Sequence, residues 1–255
     1  MVKALAVSLL LTVSVQASAK ECALVLMHGK WGSPESENIK EFTQAAQQIC
    51  EVVLPEMPWS GKRSYDQAYQ DALHDLSKEV KALREKGHKR VIVAGQSFGA
   101  NGAIAYQAHV GDADAIIALA PGHRPELFYD NGSTRSEVDQ AKKLVDGGKG
   151  RTLLSVTDFN QSKRRSLEAR ADAFLSFFDP AGLANMTKST GNFKKITPFL
   201  WVIGRQDSLY TQGPAYAYAK APIHPKSQYL VVSATHVDTP RVSAQLVMEW
   251  IKNLD

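Results

Sequence analysis

Residues 90–102 read Arg-Val-Ile-Val-Ala-Gly-Gln-Ser-Phe-Gly-Ala-Asn-Gly (RVIVAGQSFGANG), and the fold is decided there. The apolar run 91–94 predicts a buried strand, and residues 100–105 predict a helix. Between them stands Ser97, with Gly95 and Gly99 two residues to either side. A strand that turns within three residues into a helix needs glycine where the two backbones approach. Such a turn holds the serine backbone in a strained conformation and pushes its hydroxyl out at the strand tip.

Similar apolar runs recur along the chain at 23–27 (ALVLM), 52–54 (VVL), 115–120 (AIIALA), 199–203 (FLWVI) and 229–232 (YLVV). They are continuous rather than alternating, the pattern of parallel strands covered on both faces. Helical segments are expected between them. Ser33-Pro34 opens one that runs to about residue 48. Another, 65–86, puts Ala68, Ala72, Leu76, Val80 and Leu83 on one face and stops at Gly87. Strand and helix alternate, so the expected class is α/β, a mostly parallel sheet of about six strands with helices on both faces. The rhythm breaks once, over residues 123–196, which is far longer than a crossover needs. That segment holds a helix-like 136–145, a break at Gly147-Gly148, a short strand at 153–156 and an aromatic helix-like 167–178. It is expected to be a lid or cap inserted into one domain of residues 20–255, with Phe174, Phe177 and Phe178 as its buried face.

In a parallel sheet with helical crossovers every strand ends at one edge, and ligands bind there. Polar residues follow the runs at that edge: His28 after the first, then Ser97, Asp207 and His236. A hydroxyl is a poor nucleophile until a base sits within hydrogen-bond reach, and the base needs an acid to fix its tautomer. Asp207 has a second candidate role, capping the segment that follows it. Asp238 lies too close to His236 in sequence to reach the far side of its ring. The Phe98 amide, at a helix N-terminus, points where charge would develop. His28 is expected to hold its loop through hydrogen bonds, and His123 to touch substrate. Trp59 is expected to line a substrate pocket or to pack in the core or at the rim. His74, His88, His109 and His224 read as surface or helix residues, and the YAYAK run at 216–220 as a helix packing stripe.

These residues, LVLMHGKWGS, GQSFG, WVIGRQD and SATHVD, in the order serine, aspartate, histidine, resemble the α/β-hydrolase superfamily over nearly the whole chain after residue 20. The resemblance implies a Ser97–Asp207–His236 triad without a metal or other cofactor. It also implies an oxyanion hole made by the Phe98 amide and one from the loop after His28-Gly29, either Lys30 or Trp31. One departure stands out: the family has two further strands before the one carrying His-Gly, whereas here that strand comes first. The sheet should be correspondingly minimal.

The function expected is an exported serine hydrolase that cleaves an ester or related acyl bond of a small molecule through an acyl-enzyme. A peptidase or thioesterase with the same triad, or a hydrolase-like protein that only binds a ligand, remain alternatives. Export is read from residues 1–19: Lys3, an apolar stretch, then Ala17-Ser18-Ala19, the pattern of a cleaved leader. The apolar stretch falls short of the about 20 residues that span a bilayer, so no stable membrane insertion is expected after cleavage. Periplasm or the extracellular space permits a Cys22–Cys50 disulfide, with two buried thiols as the alternative. No Cys/His cluster suggests a metal. The net charge of +4 is mild and scattered apart from Lys163-Arg164-Arg165, which reads as a solvated face, so no nucleic-acid partner is expected.

Overall fold

The computed structural model describes residues 20–254; the expected leader lies outside them. In chain order the elements are β1 (Cys22–Met27), α1 (Glu37–Gln47), β2 (Cys50–Val53), α2 (Tyr69–Glu85), β3 (Arg90–Gln96), α3 (Phe98–His109) and β4 (Ala115–Leu119). There follow α4 (Pro125–Asp130), α5 (Arg135–Asp146), β5 (Leu153–Asn160), β6 (Lys163–Arg170), α6 (Ala171–Phe178) and α7 (Met186–Gly191). The chain closes with β7 (Phe199–Gly204), β8 (Gln228–Val232) and α8 (Thr239–Lys252).

Six strands form one sheet in the order β2-β1-β3-β4-β7-β8, every neighbouring pair parallel. The continuous apolar runs divide by period 2. Ala23, Val25 and Met27 face α2 and α3, among Leu73, Leu76, Val80 and Ile104. Leu24 and Leu26 face the other way, among Ile39 and Phe42 of α1 and Val247 and Ile251 of α8. Two cores on opposite faces of one sheet explain why these strands carry no polar alternation.

The strand order places the site. The chain runs outward from β1 to β2, then crosses back to lay β3 on the other side of β1. The loops after β1 and β3 therefore leave in opposite directions and open a crevice between them, the switch point where α/β sheets bind ligands. Cys22 and Cys50 are direct register partners on β1 and β2, their Cα atoms 4.7 Å apart, and they are joined as a disulfide. Closing that 28-residue separation contributes about 3–4 kcal/mol in the chain-entropy account, at the β2 edge of the sheet.

Several local expectations are corrected. The first helix begins at Glu37, because Ser33 to Ser36 are spent on a turn in which Ser36 Oγ accepts the Ser33 amide. The second begins at Tyr69, since Ser64 and Tyr65 both have positive φ and cannot continue a helix. Residues 167–178 are not one helix. They finish β6 and then form α6, and β5 and β6 make an antiparallel hairpin turning at Gln161-Ser162. Its inward residues Leu154, Val156 and Asp158 alternate with Leu153, Ser155 and Thr157, a period-2 signal that the aromatic run downstream obscured. Arg165 leaves the solvated face assigned to it: it is half-buried, its guanidinium 4.8 Å from the centre of the Trp31 ring. Residues 216–220 form no helix stripe but parts of two 3₁₀ turns. His88 is buried, bonded to the Lys20 carbonyl and Glu51.

Phe174, Phe177 and Phe178 are wholly buried. Phe177 packs on Tyr65 and Tyr69 at 5.0 and 4.8 Å, so this face of α6 joins the aromatic core.

Candidate active site

Ser97 takes φ 56°, ψ −115°, a strained backbone held because everything around it is close-packed. A Cβ on Gly95 would lie 2.1 Å from the Gly99 carbonyl carbon, and one on Gly99 would lie 2.2 Å from the Met27 carbonyl oxygen. Only glycine lets β3, α3 and β1 meet so closely.

Asp207 and His236 arrive from the ends of β7 and β8. His236 Nε2 lies 2.9 Å from Ser97 Oγ, and His236 Nδ1 lies 2.6 Å from Asp207 Oδ2. With the carboxylate accepting, Nδ1 carries the proton and Nε2 is free to accept from the hydroxyl. Asp207 also fills its second expected role: its Oδ1 accepts the Leu209 amide at 2.8 Å. Both bonds hold the carboxylate fixed, and it is buried. Asp238 turns to Thr235 and Arg241 instead.

Beside Ser97, the Phe98 amide opens α3, where the backbone N–H groups have no helical partner. The loop after β1 brings up Lys30 and Trp31. The Trp31 amide is corrected as an oxyanion donor, because it is spent on the Trp59 carbonyl at 2.9 Å. Of the two loop amides expected as donors, that leaves Lys30 as the candidate. Of the roles open to Trp59, core packing replaces pocket lining: it is completely buried, its indole donating to the His28 carbonyl at 2.9 Å and stacked on Phe98 at 4.6 Å. His28 steadies the loop as expected. Its Nε2 accepts the Met57 amide at 3.1 Å, which makes Nδ1 the donor to the Gly29 carbonyl at 2.8 Å.

What anchors this loop carries no signal in the sequence. Asp158, fully buried on β5, accepts from Lys30 Nζ at 2.7 Å, Trp31 Nε1 at 2.6 Å, the Tyr65 hydroxyl at 2.7 Å and its own neighbour's amide. Lys30 Nζ also donates to the Phe159 carbonyl and is enclosed by the rings of Phe98, Phe128 and Phe178 at 5.2–5.5 Å. Burial pulls this ammonium below the usual lysine range, and Asp158 opposes the fall. Burial, then the Asp158 charge, pushes the Tyr65 phenol well up, so it stays a donor. Asn160 closes the contact by donating to the Lys30 carbonyl at 3.1 Å. The inserted hairpin therefore clamps the loop that follows β1.

The site opens into a cleft of about 640 Å³ lined by Ser97, His236, Leu127, Phe128, Phe159 and Leu209 among others, and a polar recess of about 200 Å³ adjoins it past Asn38 and Gln96. His123 lies on the cleft wall, stacked at 3.9 Å on Phe98 with Nε2 on the Phe177 carbonyl. Gly122 keeps room above the serine: a Cβ there would lie 2.9 Å from Ser97 Oγ.

Burial lowers the pKa of both His28 and His123 from the ordinary 6.5, and for His123 the Lys30 charge adds to the fall. The folded chain thus holds both imidazoles neutral where the unfolded chain would protonate them. Their contribution to stability is complete above 6.5 and is lost as pH falls below it. Thermal melts should show Tm dropping from pH 7 to about pH 5; a Tm that rises over that interval would mean these rings are charged when folded.

Comparison with known proteins agrees with this architecture. The family model described as alpha/beta hydrolase family matches residues 24–250, and the chain belongs to that family. Among solved structures it is similar to Est1E from Butyrivibrio proteoclasticus, solved with ferulic acid bound, at 16% identity over 93% of this chain and 91% of that one, TM-score 0.62. It is similar to an esterase of Pyrococcus furiosus at 20% identity over 91% and 82%, TM-score 0.62. The thioesterase domain of the curacin biosynthetic pathway shares 14% over 90% and 91%, TM-score 0.57. No curated protein sequence matches.

Proposed function

We propose that this protein is an exported serine hydrolase that cleaves esters of small molecules through an acyl-enzyme. The observation that carries the reading is the single row of hydrogen bonds from Ser97 through His236 to Asp207, at the floor of an open cleft. In this reading Ser97 Oγ attacks the ester carbonyl while His236 Nε2 takes its proton. The imidazolium is stabilised by Asp207, and the new oxyanion by the amides of Phe98 and Lys30. His236 then returns the proton to the departing alcohol, leaving the acyl group on Ser97. Water repeats the sequence, giving the free acid and the original serine.

Export rests on the leader pattern and is supported by the Cys22–Cys50 bond, which a reducing cytosol disfavours. No helix among the described residues is long and apolar enough to cross a membrane.

The test is a panel sharing one acyl group on oxygen, sulfur and nitrogen leaving groups. The expected result is turnover of the oxygen ester with the thioester slower and the anilide slowest. A thioester preference would move the assignment to the thioesterase side of the same fold, and no turnover of any member would remove it.

A further inference from the structure

The cleft has a charge imbalance that the hydrolytic chemistry leaves unused. Asp207 is the one carboxylate residue lining it, and both its oxygens are committed. Lys30 is neutralised by Asp158. His123 is held neutral by burial. Arg124 is left over. It lines the cleft just ahead of α4 and is half-buried, and among the described residues its guanidinium has no hydrogen bond or ion pair. The nearest acid in sequence, Glu126, accepts the Tyr216 hydroxyl at 2.7 Å and makes no ion pair with Arg124. The same cleft also carries an apolar set, Leu127, Phe128, Phe159, Leu209 and Val237, among neutral polar residues such as Asn160, Gln161 and Thr235.

A guanidinium partly withdrawn from water, with its donors unmatched, is suited to a planar carboxylate that it can grip with two parallel bonds. The apolar residues that share the cleft with Arg124 and Ser97 suit a short hydrocarbon segment.

We propose that the substrates are esters whose acyl chain carries a second, free carboxylate, the half-esters of dicarboxylic acids, and that Arg124 receives that carboxylate. This rests on the reading of Ser97 as the nucleophile. Hydrolysis then releases a dicarboxylic acid and an alcohol, with water as the only co-reactant.

The experiment compares p-nitrophenyl half-esters of succinic, glutaric and adipic acids with the neutral p-nitrophenyl esters of equal carbon count. At least one half-ester should exceed its neutral partner in kcat/KM by about tenfold or more, the size of a charge-assisted pair. Arg124→Gln should erase that ratio through KM, and Arg124→Lys should restore part of it. Calorimetry of the corresponding free dicarboxylate gives a reading independent of turnover: it should bind the parent protein and not Arg124→Gln. The proposal is overturned if no half-ester is preferred, or if Arg124→Gln leaves the ratio unchanged. If neutral esters also go unhydrolysed, the nucleophile assignment has failed instead, and dicarboxylate binding alone decides the fate of the anion site.

Discussion

Ser97→Ala should lower kcat on short activated esters by about 10⁴–10⁶-fold, the loss seen when a hydroxyl nucleophile is removed from a working triad. The size follows from the geometry. Ser97 Oγ has one hydrogen bond, to His236 Nε2, and no other hydroxyl stands in that row. The fold should survive. Alanine at φ 56° meets the same backbone strain that serine already bears. The unpaired imidazole nitrogen costs about 1 kcal/mol, and it faces a cleft that water can enter. Far-UV circular dichroism should therefore match the parent, with Tm lower by a few degrees. An alanine variant that turned over at the parent rate would remove Ser97 from the chemistry.

Asp158→Ala carries the second largest effect, on stability and activity together. It strands a buried ammonium among three aromatic rings with the Phe159 carbonyl as its remaining partner. Breaking a buried pair in this way costs about 3–5 kcal/mol. The reverse cut should be milder: in Lys30→Met the Asp158 carboxylate keeps the Trp31, Tyr65 and Phe159 donors. Denaturant unfolding should rank Asp158→Ala well below Lys30→Met, and equal losses would contradict the asymmetry of the cluster. Activity gives a separate reading. Asp158 touches no reacting atom, but it fixes the loop whose Lys30 amide is the proposed oxyanion donor. Loss of one such donor costs about 10²–10³ in kcat, which bounds the effect from above. Asp158→Asn, which keeps the shape and loses the charge, should lower kcat with little change in KM; a change confined to KM would make Asp158 a pocket residue instead.

The cluster around Asp158 also shows where the sequence stops being readable. The sheet was legible because each apolar run is uninterrupted and each ends in a turn signal. The elbow was legible because its two glycines are required by contacts of about 2 Å, which few other residues could satisfy. The order of strand-end residues put serine, aspartate and histidine on one rim. The inserted segment obeys no such rule. The charged residues of its hairpin mask the alternation, and Asp158 looks like any surface aspartate until the hairpin folds back 128 residues onto Lys30. The Trp31 amide misled for a related reason: its place in the loop after His28-Gly29 suggested a free donor, whereas it is taken by the carbonyl of Trp59, a residue packed in the core.

Mass spectrometry of the intact protein after treatment with a fluorophosphonate addresses the central claim most directly. The account predicts one phosphonyl group, located on Ser97 by peptide mapping, formed rapidly in the parent protein, very slowly in His236→Ala and not at all in Ser97→Ala. A parent protein that stays unlabelled, or is labelled on another residue, would contradict it.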